Sequence, residues 1–586
     1  MFNKYYQDEL TYLRQLGEEF ARAYPRLAPM LAESGADPDV ERLLEGFAFL
    51  AGRIRQKLDG DLPELVHNFV GLLWPHYLRP LPSATVLEFD PSGGALQETQ
   101  IIPRGTTVES VPVDGTRCQF KTTSQLSVYP FALKEIFLET PATGAPFLKL
   151  GFQVGKTDLS KIKLKELSLF LAGEPQISYG LYLLLCNYLK RVTFRSIVGG
   201  KTGREANFGP EVLKPGGFGE NQNLIPYPSH SFDGYRLLQE YFTIPEKFLF
   251  VELPDISPLG RLDVKDRFEI IFEFNRRPDD ALRVKAGAVR LYCSPAVNLF
   301  QHQATPLKVE GEKTEYRLRP EGANPEHFEI FSVDKVRGWT AGTVEEKEYL
   351  PFFSYRHSLG FEKRRTEYYQ TTLRPAAVGG GTETYVSFVA DDQSILVPST
   401  RTVAVELTCS NRNLAEKLKP GDLNSPTTAS PAYASFQNIT RITPSVPPPL
   451  ENGMLWRLIS HLSLNYLSLL NVENLRGVLE LYNFAALFDR QAARANELRL
   501  GAIRGLRAGP QHLFNKGDVF RGTKIEMEMA ESGFSAEGEM YLFASILNRF
   551  FGLYASLNSF SRLEVKGSEI GEIYRWKPVS GSQVLL

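Results

Sequence analysis

The chain has 586 residues, with 66 Lys+Arg against 68 Asp+Glu, so its formal net charge is only −2. That balance argues against a dedicated nucleic-acid binder, which needs a basic surplus to neutralise phosphates. A hydrophobic content of 43% excludes disorder over the whole chain, and 39 Phe and 25 Tyr supply heavy aromatic stock for cores and interfaces.

Residues 1–80 read as helical. On a helical wheel, Phe2, Tyr6, Leu10, Leu13, Leu16 and Phe20 share one face. With their neighbours Tyr5, Tyr12 and Tyr24 they span an arc of roughly 160°, wider than the ~100° of a one-sided surface helix. These six are the candidate partner-binding residues, because so wide an arc can pack on two neighbours. Pro25 ends or kinks this helix. Asp37 followed by Pro38 predicts a second helix reaching about Leu58. Asp61 and Glu64 of DLPE form a capping-box pattern and predict a third, stopping at Trp74–Pro75.

From residue 81 the texture becomes β-rich, with short alternating runs such as TVLEF at 85–89 and QLSVY at 125–129 between Gly and Pro turns. The expected class is α+β multidomain: an N-terminal helical region at 1–80, a β-rich domain at 81–240 and a second at 241–418. The Gly- and Pro-rich stretch 199–235 reads as a long loop. Residues 419–450, with seven prolines, read as a linker or extended arm. Residues 451–586 read as a mixed α+β domain. Helices are predicted over 456–470 and 541–557, with a strand at KIEMEM, 524–529.

Motifs for chemistry are weak. GGKT at 199–202 lacks the first glycine of a phosphate-binding loop, since Arg195 stands there, and an ordinary turn is expected. PGGFGEN at 215–221 lacks the last glycine of GxGxxG and reads as a flexible loop. No two of the eight His stand four apart, and GxSxG is absent. No catalytic, cofactor or metal residue is nominated. Cys118, Cys186, Cys293 and Cys409 are isolated and read as structural thiols of a reducing compartment. The start MFNKYYQDEL carries acids where a signal peptide needs an apolar run, and no stretch is long enough to span a membrane.

Ten strings in order carry a resemblance: DPDVERLLEGFAFLAGRIRQKLDGDLPEL (37–65), PHYLRPLPS (75–83), YFTIPEKFLFVEL (241–253), CSPAVNLF (293–300), FEIFSVDKVRG (328–338), PFFSYRH (351–357), CSNRNL (409–414), WRLISHLSLNYLSL (456–469), FRGTKIEM (520–527) and RFFGLYASLNSFSRL (549–563). Together they resemble the TssF family, also called ImpG or VasA, of the bacterial type VI secretion baseplate. Ser294 and Asn413 stand where the family pattern leads us to expect Thr and Asp. Residues 101–129, with IPRGTTVES and CQFKTT, are also similar to the entry segment of J-like phage baseplate wedge proteins.

The resemblance implies a non-enzymatic scaffold without cofactor. Two TssF copies would join one TssG, and the wedge would carry TssK toward the membrane complex and TssE toward the sheath. Six wedges would ring the spike and start polymerisation of tube and sheath. The implied place is cytoplasmic, in a baseplate docked at the inner-membrane complex of a Gram-negative bacterium, with no membrane insertion and no nucleic acid. The N-terminal helices are implied to bundle with those of TssG and the second TssF copy. A phage or phage-like contractile-tail wedge protein is the alternative, and a hydrolase in the β-rich middle is the outsider.

Overall fold

The computed structural model describes all residues except 1–5, 7–9, 11–12, 14–37, 92–95, 156, 228–230, 310–312, 341–345, 353–366, 377–380, 391–400, 451–454, 456–457, 459–468, 516–517, 558 and 582–586. The chain divides into two compact units, residues 1–75 with 451–456, and residues 76–450 with 457–586.

The first unit is built on helix α1, Pro38–Leu73. It begins as the sequence predicts, with Pro38 first and Asp39 and Glu41 in the first turn, where carboxylates meet the positive end of the helix dipole. The break expected between Leu58 and Asp61 does not occur. Asp61 and Glu64 lie inside one continuous helix, so the DLPE pattern is not a start. Pro63 deprives the helix of one backbone donor, and helix cooperativity carries the chain through that single loss. The helix ends at Trp74, whose N–H donates to the Val70 carbonyl at 2.6 Å.

The second unit holds the sheets. One has six strands, in the order Ser425–Pro426, Thr107–Val113, Thr116–Thr122, Cys293–Val297, Ala84–Pro91 and Ala434–Asn438. Another runs Lys201–Phe208, Leu189–Val198, Arg267–Phe274, Phe147–Val154 and Phe131–Glu139. Strand pairing therefore crosses the boundary expected at 240/241. Arg267–Phe274 lies between two strands of the earlier segment, and Cys293–Val297 does the same. Residues 300–410 contribute every strand of an eight-stranded sheet whose core includes Val336, Val403, Val405 and Leu407.

Two stretches expected as irregular are ordered. In 199–235, Gly199 and Gly200 both have positive φ, 57° and 77°, and turn the chain into a hairpin with strand Lys201–Phe208. PGGFGEN is not a flexible loop but a strap. Gly217 has φ +86°, and a Cβ there would meet the Lys247 carbonyl at 2.5 Å. Gln222 Oε1 accepts from the Gly217 and Gly219 N–H groups. In 419–450 the chain is extended but bound, since Ser425–Pro426 and Ala434–Asn438 are the outer strands of the six-stranded sheet. The Thr440 and Thr443 hydroxyls accept from the Val86 and Ala84 N–H groups, each at 2.9 Å. Proline suits such edge positions, where a missing N–H breaks no inner ladder.

The longer helices among the described residues of this unit are α2 (Pro175–Asn187), α3 (Asp233–Thr243), α4 (Val472–Leu481), α5 (Arg490–Gly501) and α6 (Glu537–Tyr554). The expected strand at 524–529 lies in Asp518–Met529, which runs parallel to Ser559–Gly567 with α6 as the crossover. Helix α6 packs on α2 and α3, burying Leu542, Phe543, Ile546, Leu547, Phe550 and Phe551. The helix predicted over 456–470 lies largely outside the described residues; Leu458 and Leu469 of it are helical and buried.

A buried charge cluster fixes α3. Glu240 accepts from Arg236 Nη1 at 2.8 Å, from Lys247 Nζ, and from the Leu224 and Ile225 N–H groups. Arg236 also donates to Asp233 through two nitrogens. The side chains of Arg236, Glu240 and Lys247 are fully buried. Burial pulls the Lys247 ammonium down to about 8, against the opposing pull of Glu240. Glu240→Ala would leave two buried cations facing each other, and should cost on the order of 3–5 kcal/mol. We expect a markedly earlier melt or loss of soluble protein, and an unchanged melting curve would refute the assignment.

Cys118, Cys293 and Cys409 are buried and all four cysteines are free. Burial pushes the Cys118 thiol up to about 11 and Cys409 up to about 12. These thiols should react with a thiol reagent at pH 8 only after denaturation. Cys293→Ala and Cys409→Ala should each cost on the order of 1 kcal/mol in a melt. Rapid native labelling of Cys118 or Cys409 would contradict this.

Candidate partner interface

Several of the strings that carry the resemblance fold into joints of the core. In PHYLRPLPS, His76, Tyr77 and Leu78 are buried in a short helical turn. The Tyr77 ring meets Phe484 edge-on at 4.8 Å and Tyr482 at 6.0 Å, and Tyr482 stacks on Tyr235 at 4.7 Å. Phe232 then reaches Phe550 of RFFGLY at 5.9 Å. CSPAVNLF and CSNRNL are tied by two buried asparagines. Asn298 Nδ2 donates to Asn411 Oδ1 at 2.8 Å, and the Asn411 N–H donates to Asn298 Oδ1 at 2.6 Å. Ser294, the departure from the family pattern, is buried with its hydroxyl 3.0 Å from that of Ser124. In the J-like segment, Gly105 turns the chain at φ 85° and Phe120 is fully buried.

One of the strings, 37–65, instead holds surface available to a partner. On α1, Leu43, Phe47 and Leu50 are 74%, 61% and 62% exposed. At 100° per residue they fall within about 60° of one another, and the exposed Leu72 returns to the same side. Ala48 and Val70, both fully buried, lie opposite. The helix thus buries small or short residues on one side and presents large ones on the other. Leu43 and Leu72 are about 44 Å apart along the axis. A monomer has no reason to keep so much apolar surface in water on a single helix.

Of the six predicted partner-binding residues, Tyr6, Leu10 and Leu13 are helical, with Leu10 buried and the other two half-buried. Phe2, Leu16 and Phe20 lie outside the described residues. Sequence reading missed Leu43, Phe47 and Leu50. Their spacing of four and three was visible, but Leu44, Ala48 and Ala51 fill the neighbouring positions and blur the stripe.

Chemistry has little to work with. A cavity of about 120 Å³ is lined by Ser124, Ser127, Gln222, Lys247 and Glu252, among others. Three of its polar groups are already engaged: Gln222 Nε2 donates to Glu252 at 2.5 Å, and Lys247 is paired with Glu240, outside the lining. Among the described residues no three His, Cys, Asp or Glu side chains cluster to hold a metal. Among them, too, no helix is long and apolar enough to cross a membrane.

The family model of the type VI secretion system protein TssF matches residues 1–583. The Pseudomonas aeruginosa (strain PAO1) type VI secretion system component TssF1 is 30% identical over 620 residues, covering 99% of this chain and 98% of that protein. A chain in the cryo-electron microscopy structure of the TssK-TssF-TssG baseplate subcomplex is 34% identical, with a TM-score of 0.77 over 92% of this chain and 98% of that one. A chain in a baseplate complex of the type VI secretion system is 30% identical, with a TM-score of 0.62 and full coverage of both chains. With the whole length matched in sequence and in fold, the chain belongs to the TssF family of type VI secretion baseplate components.

Proposed function

We propose that this chain is a wedge subunit whose work is geometric, holding TssG and TssK in the baseplate without catalysis or cofactor. The observation that carries the reading is the exposed apolar side of α1, a seam suited to helix packing against partner helices. Residues 1–80 form the assembly module in this reading, and Phe2, Tyr6, Leu10, Leu13, Leu16 and Phe20 extend its seam toward TssG and a second TssF copy. TssE, the spike and the sheath proteins join around the wedge, and the baseplate docks on the cytoplasmic side of the inner-membrane complex of a Gram-negative cell. Support comes from the similar chain in the cryo-electron microscopy structure of a TssK-TssF-TssG baseplate subcomplex.

Co-expression with TssG and TssK, followed by size-exclusion chromatography, tests this directly. Phe47→Asp and Leu50→Asp place charges on a solvated surface, so the isolated chain should melt as before, within about 0.5 kcal/mol. Binding of TssG should weaken at least tenfold, because the charge must be buried in the complex. Leu13→Asp should behave likewise if the first helix is a partner element. An early melt with TssG binding retained would return that helix to its own domain.

A further inference from the structure

We propose that residues 300–410 form a rocking domain. It turns as one body on a joint at Asn298 and Asn411, between the position described above and a second one in which Asp334 closes on Lys121 and Arg79. The motion needs no partner subunit, so it stands or falls apart from the wedge reading.

The segment is a body of its own. It supplies every strand of the eight-stranded sheet, and each member of the hydrophobic core of that sheet lies between Phe300 and Cys409. A segment with its own sheet and core can move without losing its packing. The chain enters it through Asn298 and Leu299 and leaves it through Asn411. These crossings are neighbours, because Phe300 pairs with Cys409. Two adjacent crossings make a hinge, since few backbone dihedrals need change. Across the seam, Thr116 Oγ1 lies 2.8 Å from His327 Nδ1, and the Arg79 guanidinium sits 5.2 Å from the centroid of the Phe331 ring.

The joint is strained where it would turn. The Gln119 N–H donates to Asn411 Oδ1 at 3.1 Å, and the Gln119 carbonyl accepts from Asn298 Nδ2 at 2.7 Å. Asn411 Oδ1 also accepts from Asn298 Nδ2, so two donors fix the amide and turn its Nδ2 away from them. That Nδ2 is buried without an acceptor among the described residues, and the Ser410 hydroxyl beside it is buried without a partner too. Arg412 follows at φ 50°, in the left-handed region. Three successive residues of one crossing thus hold orphaned polar groups and an unfavourable backbone, which a turn of the joint would relieve.

Charge supplies the second position. The strand Thr116–Thr122 runs past the joint. Thr116, which meets His327, stands roughly 10 Å to one side of Gln119, and Lys121 roughly 7 Å to the other, by the usual rise per residue. Lys121 and Arg79 are half-buried, and neither makes a hydrogen bond or ion pair among the described residues. Burial holds both cations below their ordinary values, and Asp334 pulls against it. The Asp334 carboxylate meanwhile accepts from the Ser332 and Thr408 hydroxyls, at 2.7 and 2.6 Å. Rocking about Gln119 would release His327 from Thr116 and bring Asp334 onto Lys121 and Arg79, exchanging one hydrogen bond for charge-assisted ones.

The test places spin labels on the full chain through Thr140→Cys and Thr314→Cys, both exposed, and reads their separation by pulsed double electron–electron resonance. Two distances should appear. Asp334→Asn keeps an acceptor for Ser332 and Thr408 but removes the charge, so it should leave one distance and an unchanged melting curve. His327→Ala should raise the other population at least twofold, and salt at about 0.5 M should lower it at least twofold. One narrow distance at every salt concentration would overturn the proposal. Two distances indifferent to both salt and Asp334→Asn would do so as well, and so would a broad featureless distribution, which means a loose linker. Should a variant fail to fold, the salt series on the labelled but otherwise unaltered chain decides alone. Loss of TssG or TssK binding bears only on the wedge reading.

Discussion

The carboxylate of Glu240 is the point on which the larger unit turns. It gathers Arg236 from its own helix, Lys247 from the next turn, and two backbone N–H groups from the Gly- and Pro-rich strap. A buried ion is costly unless its lone pairs are met, and here four donors meet them. The reward is positional. Helix α3 cannot rotate or slide without breaking the cluster, and α3 is one of the two helices against which α6 packs. Through α6 the same constraint reaches the parallel strands of the C-terminal sheet, because α6 is their crossover.

Strand pairing in the larger unit does not respect a boundary at 240/241. Strands from residues 84 to 438 are interleaved in one six-stranded sheet, so segments far apart in sequence finish each other's edges. Loop closure over such distances adds only slowly to the entropic cost, whereas each covered edge removes a site for unwanted pairing. A subunit that must hold neighbours at fixed angles benefits from this kind of cross-stitching. Neither part of the sheet can hinge without the other.

Local physics was legible in the sequence, and long-range pairing was not. Helix α6 and the strand through 524–529 were readable because apolar period alone decides them. The turn at Gly199–Gly200 was readable because few other residues take two positive φ values in succession. The continuity of α1 was hidden, since DLPE is a sound start signal that a strong flanking helix overrode. The strap and the 419–450 segment were misjudged because glycine and proline mark irregular backbone, and irregular is not the same as loose. At the candidate interface, Tyr6, Leu10 and Leu13 were named from their arc, while Leu43, Phe47 and Leu50 escaped. Periodicity tells which residues share a side of a helix but not which side is left in water.

The division between buried and exposed apolar residues gives the last step. Strings such as PHYLRPLPS, CSPAVNLF and CSNRNL fill joints whose loss would be a packing defect. They say what the fold is. A different demand acts on apolar residues that face outward from rigid elements, as Leu43 and Phe47 do, since they suit contact with another chain rather than packing within this one. A net charge of −2 on 586 residues supplies almost no self-repulsion to keep such surfaces apart. An isolated chain of this kind is therefore prone to associate through them. Covering those surfaces early with another subunit would remove that liability at its source.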